Sequence, residues 1–97
     1  MIGILFHPDV FSEVKEAYDW YENQAYGLGD DFMSELEAAF QTVSELPGTW
    51  PMFKSDYRRF LLSKFPYSVI YRDNLETIFV VAVMHNSRKP DYWKTRK

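Results

Sequence analysis

The chain has 97 residues and a formal net charge of −3, and its length suits one domain with a single hydrophobic core. It contains no cysteine, which excludes disulfide bonds and thiolate metal sites. Its first apolar run is too short, and too poor in basic residues, for a signal peptide or a membrane span. We therefore expect a single domain over residues 1–97, in the cytoplasm and away from the membrane.

Charge is divided unequally between the two halves of the chain. Residues 1–46 contain ten acidic residues and one lysine (net −9), whereas residues 47–97 contain ten basic and four acidic residues (net +6). This division indicates that the C-terminal half faces an anionic partner. The alternative is that acidic residues occupy solvated helix faces and basic residues protect strand edges.

The first half of the chain predicts a strand over residues 2–6 and then two amphipathic helices. Pro8 and Asp9 suit the first turn of a helix, a glycine pair at 27 and 29 breaks the pattern, and Pro47-Gly48 ends the second helix. Acidic residues, Glu13 among them, occupy the polar arcs. The apolar stripes are Val10, Phe11, Val14, Ala17, Tyr18 and Tyr21 on the first helix, and Phe32, Leu36, Ala39, Phe40, Val43 and Leu46 on the second.

The second half predicts an irregular segment at 49–56 and then three strands, at 57–62, 67–72 and 78–84. The last strand is apolar throughout, which is typical of a central strand covered on both faces. A two-residue turn at Asp73-Asn74 would place Arg72 opposite Leu75 and Ile70 opposite Thr77. In that register one face carries Ser68, Ile70, Arg72, Phe79, Val81, Val83 and His85. The order β-α-α-β-β-β predicts an α+β fold, with a helical hairpin on one face of a mainly antiparallel four-stranded sheet.

The candidate chemistry is that of a basic, metal-free site. Two histidines without metal-ligand spacing, no glycine-rich phosphate loop and no serine-nucleophile motif lead us to expect neither a metal nor a cofactor. Basic groups suit RNA cleavage, in which a base deprotonates the 2′-hydroxyl, a cation stabilises the phosphate and an acid protonates the leaving oxygen. The residues available are Arg58, Arg59, Lys64, Arg72, His85, Arg88, Lys89, Tyr92 and Arg96.

Each of these residues also has a simpler interpretation. His85 is the candidate acid or base, because histidine is the side chain that titrates near neutrality, but it could equally cap backbone groups at a strand end. Tyr92 and Trp93 would then form an amphipathic clasp over the sheet edge. The arginines would bind without chemistry or would only be solvated.

Several short motifs occur in an order that is similar to one known superfamily. They are Arg58-Arg59, residues 65–71 (Phe-Pro-Tyr-Ser-Val-Ile-Tyr) and residues 82–93 (Ala-Val-Met-His-Asn-Ser-Arg-Lys-Pro-Asp-Tyr-Trp), preceded by His7-Pro8, Trp20-Tyr21-Glu22 and Gly27-Leu28-Gly29. Together they cover nearly the whole chain. In these motifs the sequence resembles the RelE/ParE toxin superfamily, whose members include plasmid-stabilisation proteins.

The resemblance implies a toxin of a type II toxin–antitoxin pair, wrapped and neutralised by a cognate antitoxin in a hetero-oligomer. RelE-like members cleave mRNA on the ribosome, whereas ParE-like members poison DNA gyrase and lack the catalytic set. By resemblance, Arg59 matches the sheet arginine, Arg88 the arginine past the last strand, His85 a catalytic histidine and Tyr92 a terminal tyrosine. We expect the remaining basic residues to bind nucleic acid: Arg58, Lys64, Arg72, Lys89 and Arg96.

Three hypotheses follow. The first is a growth-inhibiting toxin that acts as a metal-independent, ribosome-dependent mRNA endoribonuclease. The second is a gyrase inhibitor without catalytic activity, which the acidic helical hairpin favours because nucleases of this type are usually strongly basic. The third is an inactive family member that only binds an antitoxin. In either toxin case we expect the antitoxin to lie over the basic half, with an association rate that falls as salt rises.

Overall fold

The computed structural model describes residues 3–54, 56–74, 76–89 and 91–96. Its elements are β1 (Gly3–Phe6), α1 (Asp9–Gln24), α2 (Leu28–Glu45), β2 (Met52–Lys54), β3 (Tyr57–Leu61), β4 (Tyr67–Asp73) and β5 (Thr77–His85). The strands form one sheet in the order β1-β5-β4-β3-β2, antiparallel except for the parallel β1–β5 pair. The predicted α+β fold is confirmed, with five strands instead of four. Ile2, the predicted start of the first strand, lies outside the described residues.

The two helices pack on one face of the sheet through the predicted stripes. Buried on this side are Val10, Ala17, Tyr21, Phe32, Leu36, Ala39 and Val43 of the helices, against Leu62, Phe65, Val69, Tyr71, Ile78, Val80 and Val83. The prediction is wrong for Phe11 and Leu46, which are 86% and 57% exposed. Phe11 follows the inward-facing Val10 and is rotated from it by about 100°, and Leu46 has already left the helix at the C-cap of α2.

Two glycines allow the close turn between the helices. Gly27 has a φ of +85°, in the left-handed region that glycine adopts readily. Gly29 lies against α1, where an added Cβ would come within 2.9 Å of the carbonyl oxygen of Tyr18. The carboxylate of Glu22 accepts hydrogen bonds from the backbone N–H groups of both glycines, each at 2.9 Å. These bonds satisfy donors at the N-terminus of α2, so the predicted break is confirmed. Neither helix in the described part of the chain has the length and apolar character that a membrane crossing requires.

An edge strand occupies part of the segment that the sequence predicted to be irregular. In β2, Met52 pairs with Arg58, and the N–H of Arg59 donates to the carbonyl of Pro51 at 3.1 Å. Proline cannot donate to a ladder, but its carbonyl still accepts. Pro51 is therefore compatible with a short strand at the edge of the sheet.

The β4–β5 hairpin has a different register from the predicted one. Asp73 pairs with Ile78 and Arg72 with Phe79, so Asp73 belongs to the ladder and the connection is longer than two residues. The predicted turn at Asp73-Asn74 is therefore wrong. Leu75, the predicted partner of Arg72, lies outside the described residues.

A β-bulge at Val81 divides the face that the sequence predicted to be continuous. Ile70 pairs with Ala82 and Tyr71 with Val80, which leaves Val81 as an extra residue in β5. Because side chains alternate along a strand, one extra residue exchanges the two faces beyond it. The sequence does not reveal this bulge, because the residues of β5 are apolar on both faces and show no alternation that an extra residue would interrupt.

Arg72 and His85 consequently lie on opposite faces of the sheet, and their predicted common face is wrong. The guanidinium of Arg72 lies 5.5 Å from the ring centroid of Tyr57, on the face away from the helices, which we call the outer face. The ring of His85 packs edge to face on Tyr67 at 5.1 Å, and Tyr67 packs against the helices. The same inversion places Val83 under the helices.

Residues 91–96, the C-terminal segment, cover part of the outer face. Trp93 is fully buried, and its ring lies 4.9 Å from that of Tyr57 and 6.4 Å from that of Phe53. β5 is therefore covered on both faces, as its apolar run predicted. The clasp interpretation is confirmed for Trp93, which covers the outer face of the sheet and not its edge.

Candidate functional site

The predicted site residues are distributed over several places in the fold. Arg59 and Arg72 lie on the outer face, and Arg58 lies on the helix side of the sheet. His85 and Arg88 line a groove beside α1, whereas Tyr92 and Arg96 contact Glu13 at the edge of β5. Lys64 and Lys89 are exposed. The predicted catalytic set is thus not gathered at one point, because Arg59 and His85 project from opposite faces.

The outer face presents two guanidinium groups that rest on aromatic rings. Arg59 pairs with Ile70, a residue of the outer cluster, and its guanidinium lies 4.6 Å from the ring centroid of Phe53. Arg72 lies over Tyr57, diagonally across the β3–β4 ladder from Arg59. Such diagonal neighbours are about 7–8 Å apart. Among the described residues, no carboxylate lies within ion-pair distance of either arginine.

Arg58 has a structural role on the face of the sheet opposite to Arg59. Its Nη1 donates to the carbonyl oxygen of Trp50 at 2.7 Å, and its Nε lies 3.5 Å from Oδ1 of Asp73. The side chain is only 23% exposed. Arg58 therefore connects β3 to the preceding loop and to the end of β4.

Glu13 closes the edge of β5 where β1 has ended. Its Oε1 accepts from the N–H of Val83 at 3.1 Å and lies 3.1 Å from Nη1 of Arg96, and its Oε2 accepts from the hydroxyl of Tyr92 at 2.6 Å. Nη1 of Arg96 also donates to the carbonyl of Val81 at 3.1 Å. Two side chains thus satisfy backbone groups that another strand would otherwise pair. Sequence reasoning missed this role of Glu13, because no local pattern distinguishes it from the solvated acids of α1.

Tyr92 is fully engaged by this cluster. Burial raises its pKa well above the ordinary tyrosine range, and the hydrogen bond to Glu13 raises it further. The phenol therefore keeps its proton and donates a hydrogen bond to the carboxylate. On its ring lie the guanidinium groups of Arg88, at 3.5 Å from the centroid, and Arg96, at 5.0 Å.

A groove of about 580 Å³, which we call the end groove, lies between α1 and the adjoining ends of β4 and β5. It is lined by Glu13, Glu16, Ala17, Trp20, Tyr21, Pro66, Tyr67, Val83, His85 and Arg88. Four rings form a continuous row along it, with centroid distances of 5.2 Å for Trp20–Tyr21, 6.2 Å for Tyr21–Tyr67 and 5.1 Å for Tyr67–His85. Trp20 is 58% exposed, so much of its side chain is open to solvent at the groove.

His85 has its proton position set by the turn that follows β5. Its Nδ1 accepts a hydrogen bond from the backbone N–H of Ser87 at 3.1 Å and lies 2.8 Å from the Oγ of the same residue. Because a backbone N–H can only donate, Nδ1 carries no proton here, and a neutral ring carries it on Nε2. Nε2 has no hydrogen-bond partner among the described residues, so His85 offers a donor to the groove.

The charges of the end groove come from different elements. Burial raises the pKa of Tyr67, and the nearby Tyr21 and then the carboxylates of Glu16 and Glu13 raise it further. Both carboxylates are therefore close enough to Tyr67 to affect it electrostatically. Glu13 is compensated by Arg96, whereas Glu16 is exposed on α1. No cluster of histidine and acidic side chains suited to a metal ion is found in the described ranges.

A second, apolar groove of about 200 Å³ lies on the helical side of the molecule. It is lined by Phe6, Val10, Phe11, Val14, Met33, Leu36 and Phe40. The phenyl ring of Phe11, which sequence analysis assigned to the core, is among its exposed parts. Exposed apolar surface of this kind commonly marks a protein interface.

Comparisons with known proteins agree with this geometry. The sequence model of a family described as "ParE toxin of type II toxin-antitoxin system, parDE" matches residues 4–90. A solved structure, "Chromosomal ParDE TA system from P. aeruginosa", contains a chain with a TM-score of 0.74 and 13% identity over 88% of this chain and 96% of its own, which shows a common fold. A comparison with curated proteins found no match. Because the family match spans most of the sequence, the chain belongs to the ParE toxin family of type II toxin–antitoxin systems.

Proposed function

We propose that this ParE-family chain inhibits growth by binding DNA gyrase, without cleaving RNA, and that a cognate antitoxin neutralises it. The observation that carries the proposal is the separation of Arg59 from His85 by the thickness of the sheet. Phosphoryl transfer needs a base, a cation and an acid around one phosphate. Because gyrase and the ribosome are both cytoplasmic, we expect the chain to act in the cytoplasm.

The hydrogen bonds and ion pairs of the candidate catalytic residues support a binding role. His85 accepts a hydrogen bond at Nδ1, so Nε2 of the neutral ring is a donor and not a base. The hydroxyl of Tyr92 donates a hydrogen bond to Glu13, and Arg96 forms an ion pair with the same carboxylate. Tyr92 and Arg96 are therefore committed to contacts within the fold, and His85 is left with a donor only.

The outer face is the surface that we assign to the target. Arg59 and Arg72 are held by aromatic rings and have no acidic partner within the described residues, so both are available to oxyanions of a bound protein. Arginine is enriched at protein interfaces, where a few residues carry most of the binding energy. A basic outer face also agrees with the +6 charge of residues 47–97.

Expression of paired variants tests the proposal. Growth arrest with accumulated gyrase cleavage complexes should disappear in Arg59→Ala/Arg72→Ala and persist in His85→Ala. The matched control is Lys64→Ala, an exposed basic residue outside the outer face. Arrest that requires His85, with intact DNA and cleaved mRNA, would contradict the proposal.

The antitoxin is proposed to cover the basic half and the apolar groove. Phe11 is 86% exposed at that groove, and an amphipathic segment of the antitoxin would bury it. Acidic residues of the antitoxin would complement the basic half, so the association rate should fall as ionic strength rises. An association rate that is independent of salt would contradict the electrostatic part.

Ribosome-dependent mRNA cleavage is the second candidate, and one observation favours it. His85 and Arg88 line the same groove, and Arg88 is exposed and fixed over the ring of Tyr92 at 3.5 Å. His85 would then donate a hydrogen bond from Nε2 to the phosphate beside Arg88. New 5′ ends at ribosome-dependent positions in a purified translation reaction would support this candidate.

A further inference from the structure

The end groove combines three features that a ligand could use. It has an exposed aromatic side chain at Trp20, an exposed carboxylate at Glu16, and a donor pair made of His85 Nε2–H and the guanidinium of Arg88. Its volume of about 580 Å³ lies within the range usual for small-molecule sites. A ligand that matches all three features would be planar, would carry an oxyanion and would offer N–H donors to a carboxylate.

The donor pattern of the bases selects among planar ligands. Guanine presents two adjacent N–H donors on its Watson–Crick edge, and these fit the two acceptor oxygens of one carboxylate. Adenine and cytosine each present one donor beside an acceptor there, and the acceptor would face the carboxylate unfavourably. Stacking on an indole is indifferent to the base and adds affinity for each of them.

The charges around the groove permit a phosphate at the donor pair. Glu13 is the other carboxylate of the lining, and its charge is compensated by Arg96 at 3.1 Å and by the hydroxyl of Tyr92 at 2.6 Å. Arg88 approaches from the turn after β5, whereas Glu16 lies on α1. The basic and the acidic group thus come from different walls of the groove.

We propose that the end groove binds a guanine nucleotide, with the base stacked on Trp20, its N–H edge on Glu16 and its phosphate on His85 and Arg88. The ligand is either the free nucleotide or a guanine nucleotide unit within single-stranded RNA. This site lies away from the outer face and does not depend on the proposed binding of gyrase.

Titration of the full chain with 5′-GMP, followed by the NMR indole signal of Trp20, tests the proposal. We expect saturable binding, at least tenfold weaker binding of 5′-CMP and of guanosine, and a loss of at least tenfold in Glu16→Gln. Glu37→Gln is the matched control, because Glu37 is exposed on α2 and outside the groove. Equal affinities for 5′-GMP and 5′-CMP, or an unchanged affinity in Glu16→Gln, would overturn the assignment of the base.

A second arm identifies the source of the ligand and tests the phosphate contacts. Arg88→Ala should weaken 5′-GMP at least fivefold and leave the affinity for guanosine unchanged. Tighter binding of a short oligouridine that contains one guanosine, compared with 5′-GMP, would identify RNA as the source, and equal binding would identify the free nucleotide. The absence of binding for both probes would overturn the proposal, whatever the outcome of the gyrase experiment.

Discussion

Replacement of Glu13 by alanine should destabilise the fold far more than the loss of a solvent-exposed acidic residue on the helices. The variant removes the acceptor for the Val83 N–H and for the Tyr92 hydroxyl, and it leaves the guanidinium of Arg96 without its main partner. Breaking a buried ion pair by removing one partner costs about 3–5 kcal/mol. The C-terminal segment should also become more mobile, because Tyr92 and Arg96 flank the buried Trp93 that holds the segment on the sheet.

The partial exposure of the pair places the expected value at or below the lower limit of that range. The side chains of Glu13 and Arg96 are 10% and 13% exposed, and Nε of Arg96 already lies 3.7 Å from the exposed carboxylate of Asp9. Water and Asp9 would therefore stabilise part of the orphaned charge. We expect a loss of about 2–3 kcal/mol in the free energy of unfolding, with a fall in Tm of about 10 °C or more.

Urea denaturation with linear extrapolation measures this loss. Glu37→Ala is the control, and its exposed position should keep its effect within about 0.5 kcal/mol. A double-mutant cycle between Glu13→Ala and Arg96→Met should give a coupling energy of at least about 1 kcal/mol. If Glu13→Ala were no more destabilising than the control, or if the coupling were near zero, the role assigned to the pair would be refuted.

Three further predictions concern the turn, the buried phenol and the apolar groove. Gly29→Ala should cost about 1–3 kcal/mol in urea denaturation, because its Cβ would meet a backbone oxygen at 2.9 Å, whereas Gly48→Ala, with open space around it, should be neutral. Burial raises the pKa of Tyr92, so the folded state retains a proton that the unfolded state releases above about pH 10. Stability should therefore fall as the pH rises past 10, and it should fall less steeply in Tyr92→Phe. Phe11→Ser should weaken antitoxin binding at least tenfold in calorimetry and change stability by less than about 0.5 kcal/mol, because Phe11 is 86% exposed.

The sequence predicted the fold well because each helix and strand repeats a simple pattern. The stripes of α1 and α2, the break at Gly27 and the apolar run of β5 depend on local sequence patterns, and they agree with the structure except at Phe11 and Leu46. The position of β2 was missed because Pro51 argues against a strand, although a proline carbonyl accepts a hydrogen bond at an edge. The residue pattern shows the proline, but it does not show whether the proline carbonyl accepts a hydrogen bond from a neighbouring strand.

The site was less predictable, because it depends on register and on contacts between distant segments. One extra residue at Val81 separates Arg72 from His85, and an apolar run gives no sign of it. The contact between Glu13 and Arg96 joins opposite ends of the chain, and it forms only because β1 ends before β5 does. Residue types predicted a basic site, but topology decides which of these groups can meet.

The most direct test of the proposed mechanism is a supercoiling and cleavage assay with purified DNA gyrase and the purified chain. The account predicts that cleavage complexes accumulate with the wild-type chain and with His85→Ala. It also predicts that Arg59→Ala/Arg72→Ala leaves gyrase active and that the antitoxin reverses the effect. Normal supercoiling at every concentration of the wild-type chain, together with new 5′ ends in translated mRNA, would contradict the account and assign the toxin to mRNA cleavage.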